Sequence, residues 1–527
     1  MAQRRHNFIS GAAVLALAVA VTKVLGALYK IPLGNLLDKE GMAHFYAAYN
    51  IYNLLLVLST AGLPLALSRL VSRAAAQGRL NAQRRIFRTA LALLAVIGAV
   101  CSAVMCLFPQ VLSGLLHDSL AAPAIRVLGP AVLFVCLTSA IRGYTQGLGD
   151  MTPTAVSQMT ESAGKLVIGL ALCLVLLHRG ADSSLCAAGA IAGVTAGSLL
   201  SLTVLTVFLL RRRDRAAVDV PPARSAVLRE LLTAGIPITL GAAGMSLITL
   251  LDQALVMSTL QNTLGYTEAA ATALYGEYTF GMTLFALPPS FIYPVTVSLV
   301  PDISAALARG DRPAAGRSAA AALKLTTLIA LPTGAGLSVL AGPILRLLYP
   351  AVPETAQAAA YHLTVLGIAS IFVCLMVATN GVLQAYGKEY IPVVTLLCGG
   401  ILKIITNYLM VGDPATNVRG APVSTLYCYG LIVVLNLIAI ARCVPERPSY
   451  LRLFARPVLI TAVMALAARS SYGLLSRSLP ERWAVLPAIA VAVVVYGVLV
   501  LALGAVTRQD VLDLPKGEKI ARMLHLH

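Results

Sequence analysis

The same stretch of sequence occurs twice. Phe134-Val135-Cys136-Leu137, Gly143, Gln146, Gly149 and Lys165 recur as Phe372-Val373-Cys374-Leu375, Gly381, Gln384, Gly387 and Lys403, each 238 residues further on (372 − 134). Both copies sit on apolar runs long enough to cross a hydrocarbon layer of ~30 Å. One membrane helix bundle has therefore been built twice, which restricts the fold to two bundles of like topology. Each copy also carries a lysine well inside an apolar run. An ionisable group there is costly unless a cavity, a partner or a ligand takes it up, and a pair of such lysines points to transport of something anionic.

Composition agrees with a polytopic, all-α membrane protein: 58% of the 527 residues are hydrophobic and only 12% charged. A soluble chain of this length would divide into domains with polar surfaces. An outer-membrane barrel would show segments of about ten residues in strict alternation, and none appear. The first apolar run, Phe8 to Leu28, has a basic start but is too long for a signal peptide and lacks a small-residue cleavage site. It reads as the first membrane helix.

The apolar runs predict fourteen spans, at 8–30, 43–70, 86–109, 124–147, 153–178, 184–210, 231–260, 272–301, 318–345, 357–386, 389–411, 418–441, 453–475 and 483–506. With Arg4 and Arg5 on the cytoplasmic side, the arginine-rich loops (73–88, 211–230, 309–317, 442–452) and the basic tail fall on that same side. The bias over the opposite loops is roughly four to one, which supports an even span count and cytoplasmic N- and C-termini. The polar stretch 211–230 is the natural boundary between the copies. Spans 1–6 and 7–12 then form two six-helix lobes related by a pseudo-twofold axis along the membrane normal, and spans 13 and 14 form an appended pair. The expected divisions are 1–225, 226–446, and 447–527 with its basic tail. AAAQGRLNAQRR (74–85) and AALARGDRPAAGR (305–317) add a fainter echo of the repeat.

The stretches AGLPLALSRLVSR (61–73) and YGEYTFGMTLFALPPSFIYPVTVSLVPDIS (275–304), with the repeated G-x-x-Q-x-x-G segments, resemble the multidrug/oligosaccharidyl-lipid/polysaccharide exporter superfamily. Within it they are most similar to the polysaccharide biosynthesis and stage V sporulation protein B branch. The resemblance extends over nearly the whole chain, including the fourteen-span count of lipid II flippases. It implies a two-lobe transporter of the bacterial cytoplasmic membrane. Such a transporter moves a polyprenyl-diphosphate-linked sugar, a lipid II-like precursor or a polysaccharide repeat unit, between leaflets by alternating access. TKVLG (22–26) resembles the S-R-V-L-G of the flippase branch, with Lys23 in place of arginine.

The charged residues inside spans supply the candidate chemistry. Lys165 and Lys403 follow Pro153 and Pro392 by twelve and eleven residues, which places both near mid-bilayer. Lys23 and Lys30 are seven apart on one face of span 1, and Arg142 lies towards the cytoplasmic end of span 4. Lys23, Lys30, Arg142, Lys165 and Lys403 form the expected set for an anionic diphosphate, although Lys30 could equally snorkel outward. Glu161, Asp252 and Glu277 are the candidates for gating or for coupling to a monovalent cation or to the membrane potential. Glu161 precedes Lys165 by four residues, so an internal ion pair competes with a substrate role. The equivalent of Glu161 in the second copy is Gly399.

Other functions fit less well. The loops are short and the histidines form no cluster, so an enzyme is not expected. The nine cysteines fall mostly in apolar runs without C-x-x-C spacing, and neither a metal site nor a cofactor is indicated. The net charge of +18 is distributed as a membrane protein distributes it, not as a nucleic-acid binder would. The nearest alternative is an ion-coupled multidrug antiporter of the same superfamily, whose cavity would be dominated by acids. The expected partners are a lipid-linked oligosaccharide substrate and membrane lipids, with a monovalent cation or the membrane potential as the candidate driving force. Glycines and prolines at Gly235, Pro237, Gly241 and Gly244 in span 7, and Pro288, Pro289 and Pro294 in span 8, predict kinks that serve either as hinges or as close packing.

Topology follows from the charge segregation and is checked by cysteine-accessibility labelling. The 211–230 linker and the C-terminal tail should be labelled from the same, cytoplasmic side. Labelling from opposite sides would refute the even span count.

Overall fold

The computed structural model of the chain describes residues 18, 21–22, 24–211, 219–444 and 450–505. The beginning of span 1, part of the linker and the basic tail lie outside these. Among the described residues all regular structure is helical. Helix α1 covers 24–36. It is followed by α2 (Lys39–Thr60), α3 (Leu63–Ala76), α4 (Leu80–Leu107), α5 (Pro109–Leu115), α6 (Ala122–Gly147), α7 (Thr152–His178), α8 (Ser183–Leu210), α9 (Arg224–Ser258) and α10 (Glu268–Phe285). Then come α11 (Leu287–Ala308), α12 (Arg312–Val339), α13 (Ala341–Leu348), α14 (Pro353–Ala385), α15 (Tyr390–Val411), α16 (Gly420–Cys443), α17 (Tyr450–Leu475) and α18 (Glu481–Ala502). Continuous helices are what a bilayer demands, because no lipid can satisfy an open backbone amide.

Twelve stretches among the described residues are long and apolar enough to cross a membrane. They coincide with every expected span except the first and the eighth. Of the first, residues 18, 21–22 and 24–30 are described, all of them helical. The eighth is divided into α10 and α11 at Ala286, directly before Leu287-Pro288-Pro289, where proline removes backbone donors. Span 7, by contrast, stays one continuous helix through its glycines and Pro237.

By compactness the chain forms two units. One runs to Thr279 and adds Asn407–Val418; the other holds Phe280–Thr406 and everything from Arg419 onward. In the first, α4, α6 and α8 pack in series, α3 lies against α4 and α6, and α2 contacts α6, α8 and α9. The second reproduces this internally: α12, α14 and α16 pack in series, with α11 against α12 and α14, and α17 against α12 and α18. The sequence repeat is thus a repeat of packing. It extends to the backbone, since Gly149 after α6 and Gly387 after α14 both take positive φ, 84° and 70°, the conformation that glycine adopts without steric cost.

Helix starts are capped in related ways. Asp38, Asp182 and Asp311 accept from Gly41, Leu185 and Ala314 amides at 2.7, 3.0 and 3.0 Å, meeting donors that a helix start leaves unpaired. Helix α4 has Arg79 at this position, and its cap comes from the linker. Asp219 accepts from the Asn81 and Ala82 amides at 2.8 and 3.0 Å, while Arg79 donates to Val220 O at 3.1 Å. Desolvation works to raise the Asp219 carboxyl, but these amides and the Arg79 charge outweigh it and hold it below the ordinary carboxylate range. The linker is therefore tied to the first unit at its end.

The contact between α7 and α8 is extensive, and glycines face one another along it. A Cβ at Gly193 would come 2.3 Å from Gly169 Cα, and one at Gly197 would come 2.5 Å from Glu161 O. Small residues let membrane helices approach this closely. Gly193→Ala should therefore lower stability by about 1–3 kcal/mol through overpacking, read as a reduced melting temperature in detergent, whereas Gly114→Ala, with open space around its Cβ, should not.

Candidate functional site

Three of the expected cations meet in the first unit, on α1, α6 and α7. Lys165 lies thirteen residues into α7, about 20 Å along a helix rising ~1.5 Å per residue. Its Nζ donates to Tyr49 OH at 3.3 Å and stands 4.8 and 5.2 Å from the ring centres of Tyr49 and Tyr29. Lys30 donates to Tyr46 OH at 3.2 Å and lies 4.6 and 5.4 Å from the Tyr46 and Tyr49 rings. Lys30 is thus half-buried against tyrosines. Among the described residues neither ammonium forms an ion pair.

The aromatic bed is a single packed set. Phe45 stacks on Tyr49 at 5.8 Å and meets Tyr29 at 6.0 Å, Tyr49 meets Tyr52 at 5.8 Å, and Tyr29 OH donates to Ala190 O at 2.8 Å. Phe45, Tyr49 and Tyr52 follow one another at four and three residues, so α2 presents them on one face. An ammonium over such a ring gains about 0.5–2 kcal/mol, depending on how dry the site is. That holds a cation in place without cancelling its charge.

Glu161 pairs with Arg142, not with Lys165. Arg142 donates to Glu161 Oε2 at 2.9 Å, Ser157 Oγ at 2.9 Å and Ser201 Oγ at 3.0 Å, the two charged side chains being 13% and 26% exposed. The i,i+4 spacing of Glu161 and Lys165 therefore does not become an ion pair. With its carboxylate matched elsewhere, Glu161 leaves the Lys165 charge uncompensated.

The remaining candidates are dispersed. Glu277 on α10 pairs with Lys39 at 2.9 Å and is 16% exposed. Asp252 on α9 is buried and accepts from Asn407 Nδ2 at 2.6 Å. Lys403, on α15, is buried in the second unit. Lys23 lies outside the described residues.

A polar seam between α2–α3 and α9 was not expected from the sequence. Asn50 donates to Gln253 at 2.7 Å, Asn53 to Ser246 at 3.3 Å, and the Gly62 amide to Thr239 at 3.2 Å. The α9 partners are seven residues apart, a heptad spacing that keeps one face towards a neighbour. That spacing is visible in the sequence.

Comparison with known proteins places these features in a family context. Residues 8–307 match the family described as polysaccharide biosynthesis protein, and residues 237–409 match MatE. In Bacillus subtilis (strain 168) the chain is similar to the uncharacterized membrane protein YabM, 26% identical over 99% of this chain and 97% of that one. It is also similar to stage V sporulation protein B, 24% identical over 84% of this chain and 85% of the other, and to the lipid II flippase MurJ, 24% identical over 88% of each. A solved structure, "Lipid II flippase MurJ, inward closed conformation", shares the fold with a TM-score of 0.71 at 15% identity, over 93% of this chain and 98% of that one.

The Arg142–Glu161 contact has a measurable consequence. Removing one partner leaves a partly buried charge unmatched, so Arg142→Gln or Glu161→Gln alone should cost stability, while the double variant should recover part of the loss. A double-mutant cycle on detergent melting should give a coupling of about 0.5–3 kcal/mol. Zero coupling would mean that the pair does not set the charge at this site.

Proposed function

The chain belongs to the polysaccharide biosynthesis protein family of the multidrug/oligosaccharidyl-lipid/polysaccharide exporter superfamily, and from this premise we propose that it is a flippase for a polyprenyl-diphosphate-linked sugar. It is a multi-pass membrane transporter. The proposed motion is alternating access of two duplicated lobes, 1–225 and 226–446, with 447–527 appended and both termini cytoplasmic.

The observation that carries the reading is the state of Lys30 and Lys165. Two ammonium groups inside a membrane bundle rest on tyrosine rings with no acid among the described residues paired to them. A diphosphate offers each a charge-assisted hydrogen bond stronger than its present contact with a phenol, so an arriving head group can draw the lysines from the rings and a departing one can return them. Arg142 serves this site by occupying Glu161. Lys403 and Lys23 complete the proposed cationic set, and lysine rather than arginine suits a ligand that must leave.

A second reading, an ion-coupled antiporter of lipophilic cations, is favoured by one feature: the buried Asp252 with Asn407 hydrogen-bonded to it. Under the flippase reading the same acid is a proposed site for a monovalent cation that drives the cycle.

Leaflet transfer of a polyprenyl-diphosphate-linked sugar in vesicles of defined lipid tests the proposal. A hydrogen bond to a charged group is worth about 1.5–3 kcal/mol, so Lys165→Ala and Lys30→Ala should each slow transfer roughly tenfold to a hundredfold, with full-length protein still inserted. Wild-type transfer by the double alanine variant would remove the site. Cation-driven efflux of a lipophilic cationic dye, abolished by Asp252→Asn, with no lipid transfer, would establish the antiporter instead.

A further inference from the structure

A buried acid–imidazole pair in the first unit takes no part in the site above. His44 is in the second turn of α2, and its Nδ1 lies 2.7 Å from Oδ1 of Asp118, the residue preceding the short 3-10 turn Ser119–Ala121. Their side chains are 3% and 1% exposed. The other carboxylate oxygen, Asp118 Oδ2, is buried with no hydrogen-bond partner among the described residues.

Burial decides how many protons this pair holds. With none, it is an anion with one oxygen unsolvated and unbonded, the costliest arrangement for a carboxylate. With two, it is a buried imidazolium beside a neutral acid, a net cation. With one, it is neutral as a whole, whether written as imidazolium and carboxylate or as imidazole and carboxylic acid, and only this state suits an enclosed site. We propose that His44 and Asp118 form a proton-binding site that holds one proton while this end of the first unit is closed and releases it when the end opens to water.

The neighbouring contacts supply the opening. The loop and the head of α2 are fastened to the segment from the end of α9 to α10 by three links. Ser119 donates from its amide and hydroxyl to Glu268 Oε1 at 2.5 and 2.6 Å, Gln261 donates to His117 O at 2.7 Å, and Lys39 pairs with Glu277 at 2.9 Å. These links are more exposed than the His44–Asp118 pair, so water reaches the pair once they part. Water solvates both groups separately, so the open form no longer needs the shared proton to avoid a buried charge and gives it up at alkaline pH. The closed form binds more protons than the open one, and raising pH therefore favours opening.

Other ionisable groups frame the pair without replacing it. Tyr275 on α10 is within electrostatic reach of both Asp118 and Asp252. On α2, Lys39 is engaged by Glu277 and Glu40 lies in the first turn; Arg126 is on α6 and His117 precedes Asp118. Asp38 and Asp182 cap α2 and α8. The proton site stands apart from the lipid-transfer reading, and its test uses no substrate, so either can fail alone.

Hydrogen exchange of the full chain in lipid nanodiscs provides that test. Exchange is compared at about pH 5.5 and about pH 8.5, either side of the histidine range, with labelling times scaled to equal intrinsic exchange. Peptides covering 108–122 and 259–270 should exchange faster at the higher pH, by up to about tenfold per pH unit, the limit for release of one proton. Asp118→Asn and His44→Gln should each abolish the difference. Equal protection at both pH values in the wild type, or a pH difference that survives in either variant, overturns the proposal. The wild-type comparison decides the matter even where a variant does not fold.

Discussion

The charge at the centre of the first unit depends on which cation claims Glu161. Lys165 is four residues away on the same helix, yet Arg142 takes the carboxylate from a neighbouring helix while also donating to Ser157 and Ser201. A guanidinium is a planar fork that satisfies several acceptors in one fixed geometry, whereas an ammonium on a flexible stem is a point charge. Once Arg142 is placed between α6, α7 and α8, three acceptors hold it, and Lys165 turns to Tyr49. The site stays electropositive because its acid is occupied, not because acids are missing. Close packing of α7 on α8 fixes the arrangement, since a Cβ at Gly193 or Gly197 would strike the backbone of Lys165 or Glu161.

The two copies have diverged most usefully at the N-terminal cap of α4 and of its counterpart α12. In the second copy Asp311 caps α12 from the residue directly before it. In the first, Arg79 stands there and the cap is made by Asp219, some 140 residues later in sequence (219 − 79). The same unpaired amides create the same demand in both places. Meeting it from the linker converts a local requirement into an anchor for the stretch that joins the copies.

Much of the fold was legible because a bilayer accepts so few structures. Apolar runs of sufficient length must be helices, so twelve spans fell where their hydrophobicity put them and the double proline marked the division between α10 and α11. Side-chain partners were less legible. The spacing of Glu161 and Lys165 suggested an ion pair, but i,i+4 geometry only permits a contact, and Arg142 offered a better one from another helix. Tyr29, Phe45, Tyr46 and Tyr49 passed as ordinary content of apolar runs; only tertiary packing puts Lys30 and Lys165 on their rings. His44 and Asp118 are 74 residues apart in sequence, with nothing local to join them.

The contrast between two helix contacts in the first unit indicates where it can move. Along α7 and α8 the glycines bring backbones into direct apposition, and separating them would lose dispersion contact with nothing to replace it. Between α2 and α9 the side-chain hydrogen bonds are neutral ones at Asn50 and Asn53, and the Gly62 amide adds a third, while α3 meets α9 through an apolar cluster of Leu67, Val71, Val227 and Leu231 and the Arg73–Glu230 pair. Interhelical hydrogen bonds in membranes average only about 0.6 kcal/mol by double-mutant cycles, and each of these groups finds an equivalent partner in water once a cavity opens beside it. Close approach of Gly62 to Gly235, where a Cβ would come 2.0 Å from Gly235 O, keeps the seam narrow when shut. The seam therefore combines polar contacts that water can replace along α2 with apolar packing along α3, and the cost of parting it rises from the first to the second.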